Sequence, residues 1–438
     1  MLFKDIDIVN ENMEIDSHVD VLIKDDRIDK ILPTGEEMDA YLEASGIDRG
    51  EVYQGKNLLL MPAFYNAHGH STMTLMRGYG ENMTLQDWLF TKIFPFEDHL
   101  THEAVYYGTM ISMAESFKYG IASTSDMYYF LDDIVSAVRD AGGKSNISRA
   151  IANPAGIPFD QLESIREMKD AVNKYNGIEN GRIIIDGSLH AEYTSNEDTA
   201  INLAKLTKEL NLIMHVHLSE TETEHVECME RHEGRTPAKY FDDCGLFDMP
   251  SLAAHCVWVT EDDIDILAKK GVVVATNAVS NLKLASGICP VKDLIDGGVT
   301  VAIGTDSVAS NNNLNIFEEM KTMMLLAKVK EMDPRVLSPR QVLHMATRNG
   351  ALAQGREDCG YIKEGFKADI VVLKTDSPNM HPVYDMISNI VLSATDSDIR
   401  MTIVDGRIVY KDGILLTIDM EDTINGVNRS IKDILGRL

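Results

Sequence analysis

The feature of this sequence that most constrains its fold is a repeated alternation of short apolar runs with helical stretches through the long middle of the chain. Each run is typical of a buried strand, and strands that alternate with helices pair in a parallel sheet. Eight such runs are present, from residues 57–64 to "TVAIGTDSV". Eight units predict a closed (β/α)8 TIM-like barrel in the α/β class rather than an open sheet.

Both ends of the chain have a different pattern, in which short strands are joined by tight turns. Near the N-terminus, "VDVLIKDDRIDKIL" predicts a hairpin that turns at Asp25-Asp26. Near the C-terminus, the predicted turns are Asp405-Gly406 and Asp412-Gly413. We therefore expect residues 1–56 and 366–438 to form one small β-sandwich domain beside a catalytic barrel of residues 57–365.

Charge and composition restrict the partners of the protein. The formal net charge is −28, and phosphate groups bind to basic faces, so we expect no nucleic acid and no membrane surface as partners. Five scattered cysteines without CxxC spacing indicate neither a disulfide framework nor a cysteine zinc site. The sequence shows no signal peptide and no long apolar run, so we expect a soluble, cytoplasmic protein.

Histidines and one aspartate lie where the predicted barrel strands end. His68 and His70 are two residues apart and therefore point the same way from a strand. "LIMHVHLSE" supplies His217 as a ligand, with His215 behind it as support, and "VAIGTD" ends in Asp306. Three imidazoles and a carboxylate can hold a divalent cation and leave a position for water. Taken alone, Asp306 also fits an N-cap of the following helix.

Two further polar residues follow strands of the same set. Glu220 comes three residues after His217, within reach of a water as general base, and His255 ends the run "SLAAHC". A bound metal lowers the pKa of its water towards ~7. His255 can then hold the hydroxide and stabilise the charge that develops during the reaction.

Seven segments together resemble the amidohydrolase superfamily, in its branch of deaminases of aromatic bases. The similarity is greatest to 5′-methylthioadenosine/S-adenosylhomocysteine deaminases, and it runs in the family's order. The segments are "MPAFYNAHGHSTMTLMRG", "LQDWLFTKIFPFED", "HVHLSET", "AAHCVW", "SNLKLASGICP", "AIGTDSVASNNNLNIFEEM" and "GYIKEGFKADIVVL".

The resemblance implies a metal site and a hydrolytic mechanism. One divalent metal ion, usually zinc and in some relatives iron, would be held by His68, His70, His217 and Asp306. Glu220 would carry a proton from the water to the ring nitrogen beside the attacked carbon. His255 would orient the hydroxide, and Asp306 would also accept a proton before ammonia leaves.

The resemblance also implies contacts to the substrate. Trp88 would line the purine pocket, although a tryptophan at this position also fits a core residue. His190 would contact the base or the ribose, and Arg149 would contact the tail of the substrate.

Several positions depart from the pattern of the family. Gln86 stands where relatives carry a glutamate that binds both ribose hydroxyls, and a neutral amide loses a charge-assisted bond. A second arginine expected about twelve residues after Arg149 is absent from "GIPFDQLES", and Thr276 replaces a histidine. These departures leave the exact substrate open.

Three hypotheses follow. The first is a metal-dependent hydrolytic deaminase of an adenosine-type nucleoside, which forms the inosine analogue and ammonia. The second is an aminohydrolase of another heterocycle, such as guanine, a pterin or a cytosine analogue, or a chlorotriazine hydrolase. The third is a metal-binding scaffold without catalysis. The partner we expect is a small-molecule purine nucleoside or related heterocycle, and the chain is expected to form a homo-oligomer.

Overall fold

The computed structural model describes residues 1–438 and contains two β-sheets. The strands, in chain order, are β1 Leu2–Val9, β2 Ile15–Lys24, β3 Arg27–Pro33, β4 Val52–Gln54, β5 Leu58–Pro62, β6 Phe64–Gly69, β7 Ile121–Tyr128, β8 Lys144–Arg149, β9 Ile183–Leu189, β10 Met214–Leu218, β11 Ser251–His255, β12 Val273–Thr276, β13 Thr300–Ile303, β14 Ile370–Lys374, β15 Ile399–Val404, β16 Arg407–Lys411 and β17 Ile414–Leu415.

Helices lie between most of the central strands and after them. They are α1 Glu36–Ser45, α2 Leu85–Trp88, α3 Phe94–Glu97, α4 His102–Lys118, α5 Leu131–Ala141, α6 Glu163–Tyr175, α7 Ile178–Gly181, α8 Glu197–Glu209, α9 Glu222–Arg231, α10 Pro237–Asp243, α11 Glu261–Lys270, α12 Ala278–Lys283, α13 Val291–Asp296, α14 Val308–Asn311, α15 Ile316–Glu331, α16 Pro339–His344, α17 Gly350–Ala353, α18 Met386–Leu392 and α19 Met420–Leu435.

Strands β6 to β13 form a parallel sheet in which each strand pairs with the next along the chain. The first and last strands approach each other: the Asp306 N–H donates to the His68 carbonyl at 3.0 Å, and the Asn66 amide donates to the Thr305 hydroxyl at 2.8 Å. The sheet is therefore a nearly closed barrel. The predicted (β/α)8 fold is confirmed, and the ends of β6 and β13 lie side by side.

The terminal segments share one nine-stranded sheet in the order β17-β16-β15-β14-β5-β1-β2-β3, with β4 paired to β1. The turns at Asp25-Asp26, Asp405-Gly406 and Asp412-Gly413 are those that the sequence predicts. The backbone of Asp25 lies against Gly406, so the sheet curls onto itself. Its two halves enclose a core of 14 buried apolar residues.

The prediction that the first barrel strand spans residues 57–64 is wrong. Residues 58–62 form β5, which pairs with β1 and β14 in the terminal sheet. Pro62 has no N–H to continue a sheet, and the next N–H, from Ala63, bonds to the Asp369 carbonyl at 3.0 Å. The chain passes into the barrel there, and the strand that carries His68 begins at Phe64.

The N-terminus of α15, the helix for which the sequence offered Asp306 as a cap, is capped by another residue. The side chain of Asn315 accepts the N–H groups of Phe317 and Glu318 at the start of α15. Asp306 is therefore not the N-cap of this helix, and its carboxylate is available for the site. None of the helices combines the length and the apolar character that a bilayer crossing requires.

Candidate active site

The four predicted ligand residues come together at the C-terminal ends of β6, β10 and β13. The Nε2 atoms of His68 and His70 lie 3.4 Å and 3.3 Å from Asp306 Oδ1, and His217 Nε2 lies 3.3 Å from His70 Nε2. All four side chains are largely buried. The structure thus places three imidazole nitrogens and one carboxylate oxygen around a single point.

Hydrogen bonds on the outer side of two rings fix which nitrogen faces this point. His70 Nδ1 lies 2.6 Å from the Met127 carbonyl oxygen, and His217 Nδ1 lies 2.6 Å from the His190 carbonyl oxygen. A carbonyl oxygen only accepts, so each Nδ1 carries a proton and donates. With Nδ1 facing outwards, Nε2 of each ring faces the centre, where it can serve as a metal ligand.

His68 lies deepest in the group and is completely buried. Its Nδ1 lies 2.9 Å from His215 Nε2, so His215 supports His68 from behind. His68 Nε2 is buried without a hydrogen-bond partner. Burial lowers the pKa of His68 to about 3 and the pKa of His217 well below its usual value, and both rings are neutral at pH 7.

Asp306 is held in a fixed orientation by its backbone and by two hydroxyls. Its φ of 59° lies in the left-handed region that is unusual for residues other than glycine. Ser280 and Ser310 donate to Oδ2 at 2.5 and 2.9 Å, which leaves Oδ1 facing the histidines. Burial raises the pKa of Asp306, but the neighbouring rings of His68 and His70 outweigh burial and hold this pKa well below its usual range.

These donors fit a divalent metal ion. The ligand atoms of His68, His70 and His217 lie within 4.8 Å of one another. His68 Nε2 is buried and has no hydrogen-bond partner in the protein, and a metal ion bound there would satisfy it. Three neutral imidazoles and a carboxylate suit zinc and similar cations. A structure with this donor set and no such ion would leave buried polar atoms unsatisfied.

Glu220 and His255 lie beside the ligand group. His255 Nε2 is 3.7 Å from Glu220 Oε2, and the Asn281 side-chain oxygen accepts from His255 Nδ1 at 2.8 Å. Glu224 accepts the backbone N–H of Glu220 at 2.7 Å and so fixes the turn after β10. Burial raises the pKa of Glu220, which is the direction that suits a group that both takes up and releases protons.

A cavity of about 580 Å³ opens over these groups. Trp88, which is 5% exposed, and His190 belong to its wall. Burial lowers the pKa of His190 to about 4, so this ring is neutral and can accept or donate a hydrogen bond.

Two predicted substrate contacts do not line this cavity. Gln86 lies half-buried on α2, two residues before Trp88, but outside the wall. Arg149, at the end of β8, belongs to the wall of a neighbouring cavity. The structure therefore brings together the ligand residues, Glu220, His255, Trp88 and His190, and it places Gln86 and Arg149 outside this group.

The sequence reasoning missed several polar groups in the wall, among them Glu97 and Tyr128. Glu97 lies in the cavity, and burial raises its pKa to about 7. The hydroxyl of Tyr128, a residue that is 2% exposed, is buried without a partner. The signal for Tyr128 was its place at the end of the strand run "IASTSDMYY", where polar side chains collect in a barrel. Glu97 ends α3, and the sequence pattern does not show which way this short helix turns its side chains.

The chain is similar to known proteins both in sequence and in fold. The model of the amidohydrolase family matches residues 59–409. A 5-methylthioadenosine/S-adenosylhomocysteine deaminase of Desulforamulus reducens is 40% identical over 396 residues, 90% of each chain. A 5′-deoxyadenosine deaminase of Methanosarcina mazei is 37% identical over 419 residues, 95% of this chain and 94% of its own.

A solved structure extends the similarity to the whole fold. An adenosine deaminase from Xanthomonas campestris with bound zinc superposes with a TM-score of 0.90 and 27% identity. The match covers 99% of this chain and 98% of that one.

Proposed function

The chain belongs to the amidohydrolase family, and from that premise we propose that it is a metal-dependent deaminase that replaces the 6-amino group of adenosine-type nucleosides with a carbonyl. The products are the inosine analogue and ammonia. The observation that carries the proposal is the convergence of three imidazole nitrogens and Asp306 Oδ1 beside Glu220 and His255, at the floor of a cavity.

His68, His70, His217 and Asp306 are the residues that would hold the metal, and their neutral-nitrogen and oxygen donors support zinc as its identity. The bound zinc of the structurally similar adenosine deaminase supports the same choice. When bound, a divalent cation supplies Lewis acidity that makes a water nucleophilic near neutral pH. His215, Met127 and the two serines on Asp306 keep the ligand atoms aligned.

Glu220 moves the proton in this proposal. Its carboxylate takes a proton from the attacking water and gives it to the ring nitrogen beside the attacked carbon. Protonation of that nitrogen lets the carbon accept the water oxygen. The second proton of the water, taken up by Asp306, then passes to the amino group, which leaves as ammonia while the new C–O bond becomes a carbonyl. The buried position of Glu220 supports this role, because burial raises its pKa towards the working pH.

His255 and the cavity wall position the reactants. His255 has its Nδ1–H fixed by Asn281, so its Nε2 is presented towards Glu220 and can orient the water by hydrogen bonding. Trp88 offers an apolar face to the purine, and the neutral His190 offers a hydrogen bond to the base or the sugar. Flat apolar walls with a few polar groups are typical of sites for heterocyclic ligands.

The test is ammonia release from zinc-loaded protein across a substrate panel. The panel contains adenosine, 5′-deoxyadenosine, 5′-methylthioadenosine, S-adenosylhomocysteine, adenine, guanine, cytosine and a pterin. We expect turnover of the adenosines, with S-adenosylhomocysteine the poorest of them because "GIPFDQLES" contains no second arginine. Turnover of a free base or pterin without turnover of any adenosine would contradict the proposed substrate.

A further inference from the structure

A second cavity of about 860 Å³ adjoins the cavity that opens over the candidate metal ligands. Phe94, Glu97 and Tyr129 line both cavities, so the two cavities meet at these three side chains. The 5-methylthio and 5′-deoxy compounds in the names of the two relatives differ from adenosine at the 5′ position of the ribose. We call this second space the outer cavity. Its wall includes Phe94, Glu97, Asp98, Tyr129, Arg149 and Glu167. Because the resemblance places Arg149 at the tail of the substrate, the outer cavity is the place for a 5′ group.

Acidic groups dominate the outer cavity. It contains the carboxyl groups of Glu97, Asp98 and Glu167, and Arg149 is the single cationic residue in its wall. The Arg149 side chain is 16% exposed and that of Glu167 is 44% exposed, so both border the solvent-filled space. A charged substituent in this space meets more negative than positive charge.

Arg149 is already engaged by the protein. Its Nε donates to Glu167 Oε2, and its Nη1 donates to the Ala150 carbonyl oxygen at 2.7 Å. Its guanidinium carbon lies 4.6 Å from the centre of the Tyr129 ring. An anionic substituent near Arg149 would compete with the Glu167 carboxylate for the N–H groups of the guanidinium. These N–H groups have a fixed planar geometry, so they cannot bind both anions equally well.

We propose that Glu167, by pairing with Arg149 at the outer cavity, gives the site a preference for neutral or cationic 5′ substituents of the nucleoside over anionic ones. This inference rests on the proposed function and names the substrate class of the same site. Glu167 is a positioning residue that acts through Arg149. It lies on α6, a helix outside the set of elements that carry the metal ligands.

The test uses three adenosines that differ in the charge of the 5′ group. They are neutral 5′-deoxyadenosine, cationic 5′-amino-5′-deoxyadenosine and anionic adenosine-5′-carboxylic acid. We expect the zinc-loaded protein to show a higher kcat/KM for the cationic than for the anionic compound at low ionic strength. Added salt should bring the two values together, because screening weakens charge interactions at a partly exposed site.

Glu167→Gln should change the ratio of the two charged substrates. Loss of this carboxylate releases Arg149 and is expected to shift the cation-to-anion ratio of kcat/KM by about fivefold towards the anion. Asp170→Asn is the matched control, because it removes one negative charge from an exposed position of the same helix outside the cavity wall. We expect the control to keep the ratio of the parent protein.

The possible results distinguish a failure of this inference from a failure of the proposed function. Equal values for the two charged compounds, a preference for the anion in the parent protein, or an unchanged ratio in Glu167→Gln would overturn the inference and leave the deaminase activity standing. Absence of turnover with all three compounds, including neutral 5′-deoxyadenosine, would instead overturn the proposed function. Thermal melting of each variant checks that the ratio is measured on folded protein.

Discussion

Replacement of Glu220 by glutamine is expected to lower kcat by about 10²–10⁴-fold, the usual contribution of a general acid–base group. Glutamine has nearly the same size and can keep a contact to Ser286, whose hydroxyl lies 3.4 Å from Glu220 Oε1. It cannot take up and release a proton at neutral pH. The loss should therefore fall on kcat, with the site otherwise intact.

Steady-state ammonia release and the metal content of the same sample measure this effect. Glu222→Gln is the matched control, because this substitution makes the same chemical change at an exposed position two residues after Glu220. We expect the control to turn over like the parent. A Glu220→Gln protein with full metal content and a kcat within about tenfold of the parent would remove Glu220 from the proton-transfer role.

Replacement of Lys144 by methionine is expected to destabilise the protein by about 3–5 kcal/mol, the cost of removing one partner from a buried ion pair. Lys144 is 1% exposed and pairs with Asp369 and, at 2.6 Å, with Asp405. Burial raises the pKa of Asp369, but Lys144 outweighs burial and holds this pKa below its usual value. Without the lysine, two carboxylates remain buried at the junction of the barrel and the terminal sheet.

Urea unfolding followed by circular dichroism measures the loss of stability. Lys292→Met serves as the control, because Lys292 forms an exposed pair with Asp296 on α13 and its loss leaves no buried charge. The control should unfold near the midpoint of the parent. If Lys144→Met unfolded within about 1 kcal/mol of the parent, the value typical of an exposed pair, the junction would not depend on this lysine.

The barrel could be predicted because its signal is local. Most apolar runs in the middle of the chain became strands, and the ends of these strands carry the polar groups as the fold requires. The path at Pro62 could not be predicted from hydrophobicity, since one apolar run supplies β5 of the terminal sheet and the start of β6. Only pairing with β14, which lies about 300 residues later, decides where the first sheet ends.

Strand β8 illustrates a second limit. Its sequence, "KSNISR", is polar, so the apolar pattern that marks most of the barrel strands does not mark this one. The polar side chains are buried because distant residues satisfy them: Asn146 donates to Asp186 at 2.9 Å, and Arg356 donates to Asn146 at 3.1 Å. Such partners are invisible in a local pattern.

The candidate site was likewise predictable from the sequence only in part. Its candidate ligand residues lie at or just after the C-terminal ends of strands, so their meeting at one end of the barrel follows from the fold. The engagement of Arg149 by Glu167 depends on how α6 packs beside β8, and the entry of Glu97 into the cavity wall depends on how α3 packs over the barrel. These contacts join residues whose spacing in sequence carries no signal.

The most direct test of the account is a zinc titration of metal-free protein, with ammonia release from 5′-deoxyadenosine as the readout. One ligand group of three histidines and one aspartate predicts an activity that is absent without metal, rises with added zinc and reaches its plateau at one equivalent per chain. Full activity in the metal-free protein, or no activity at any zinc level, would contradict the account.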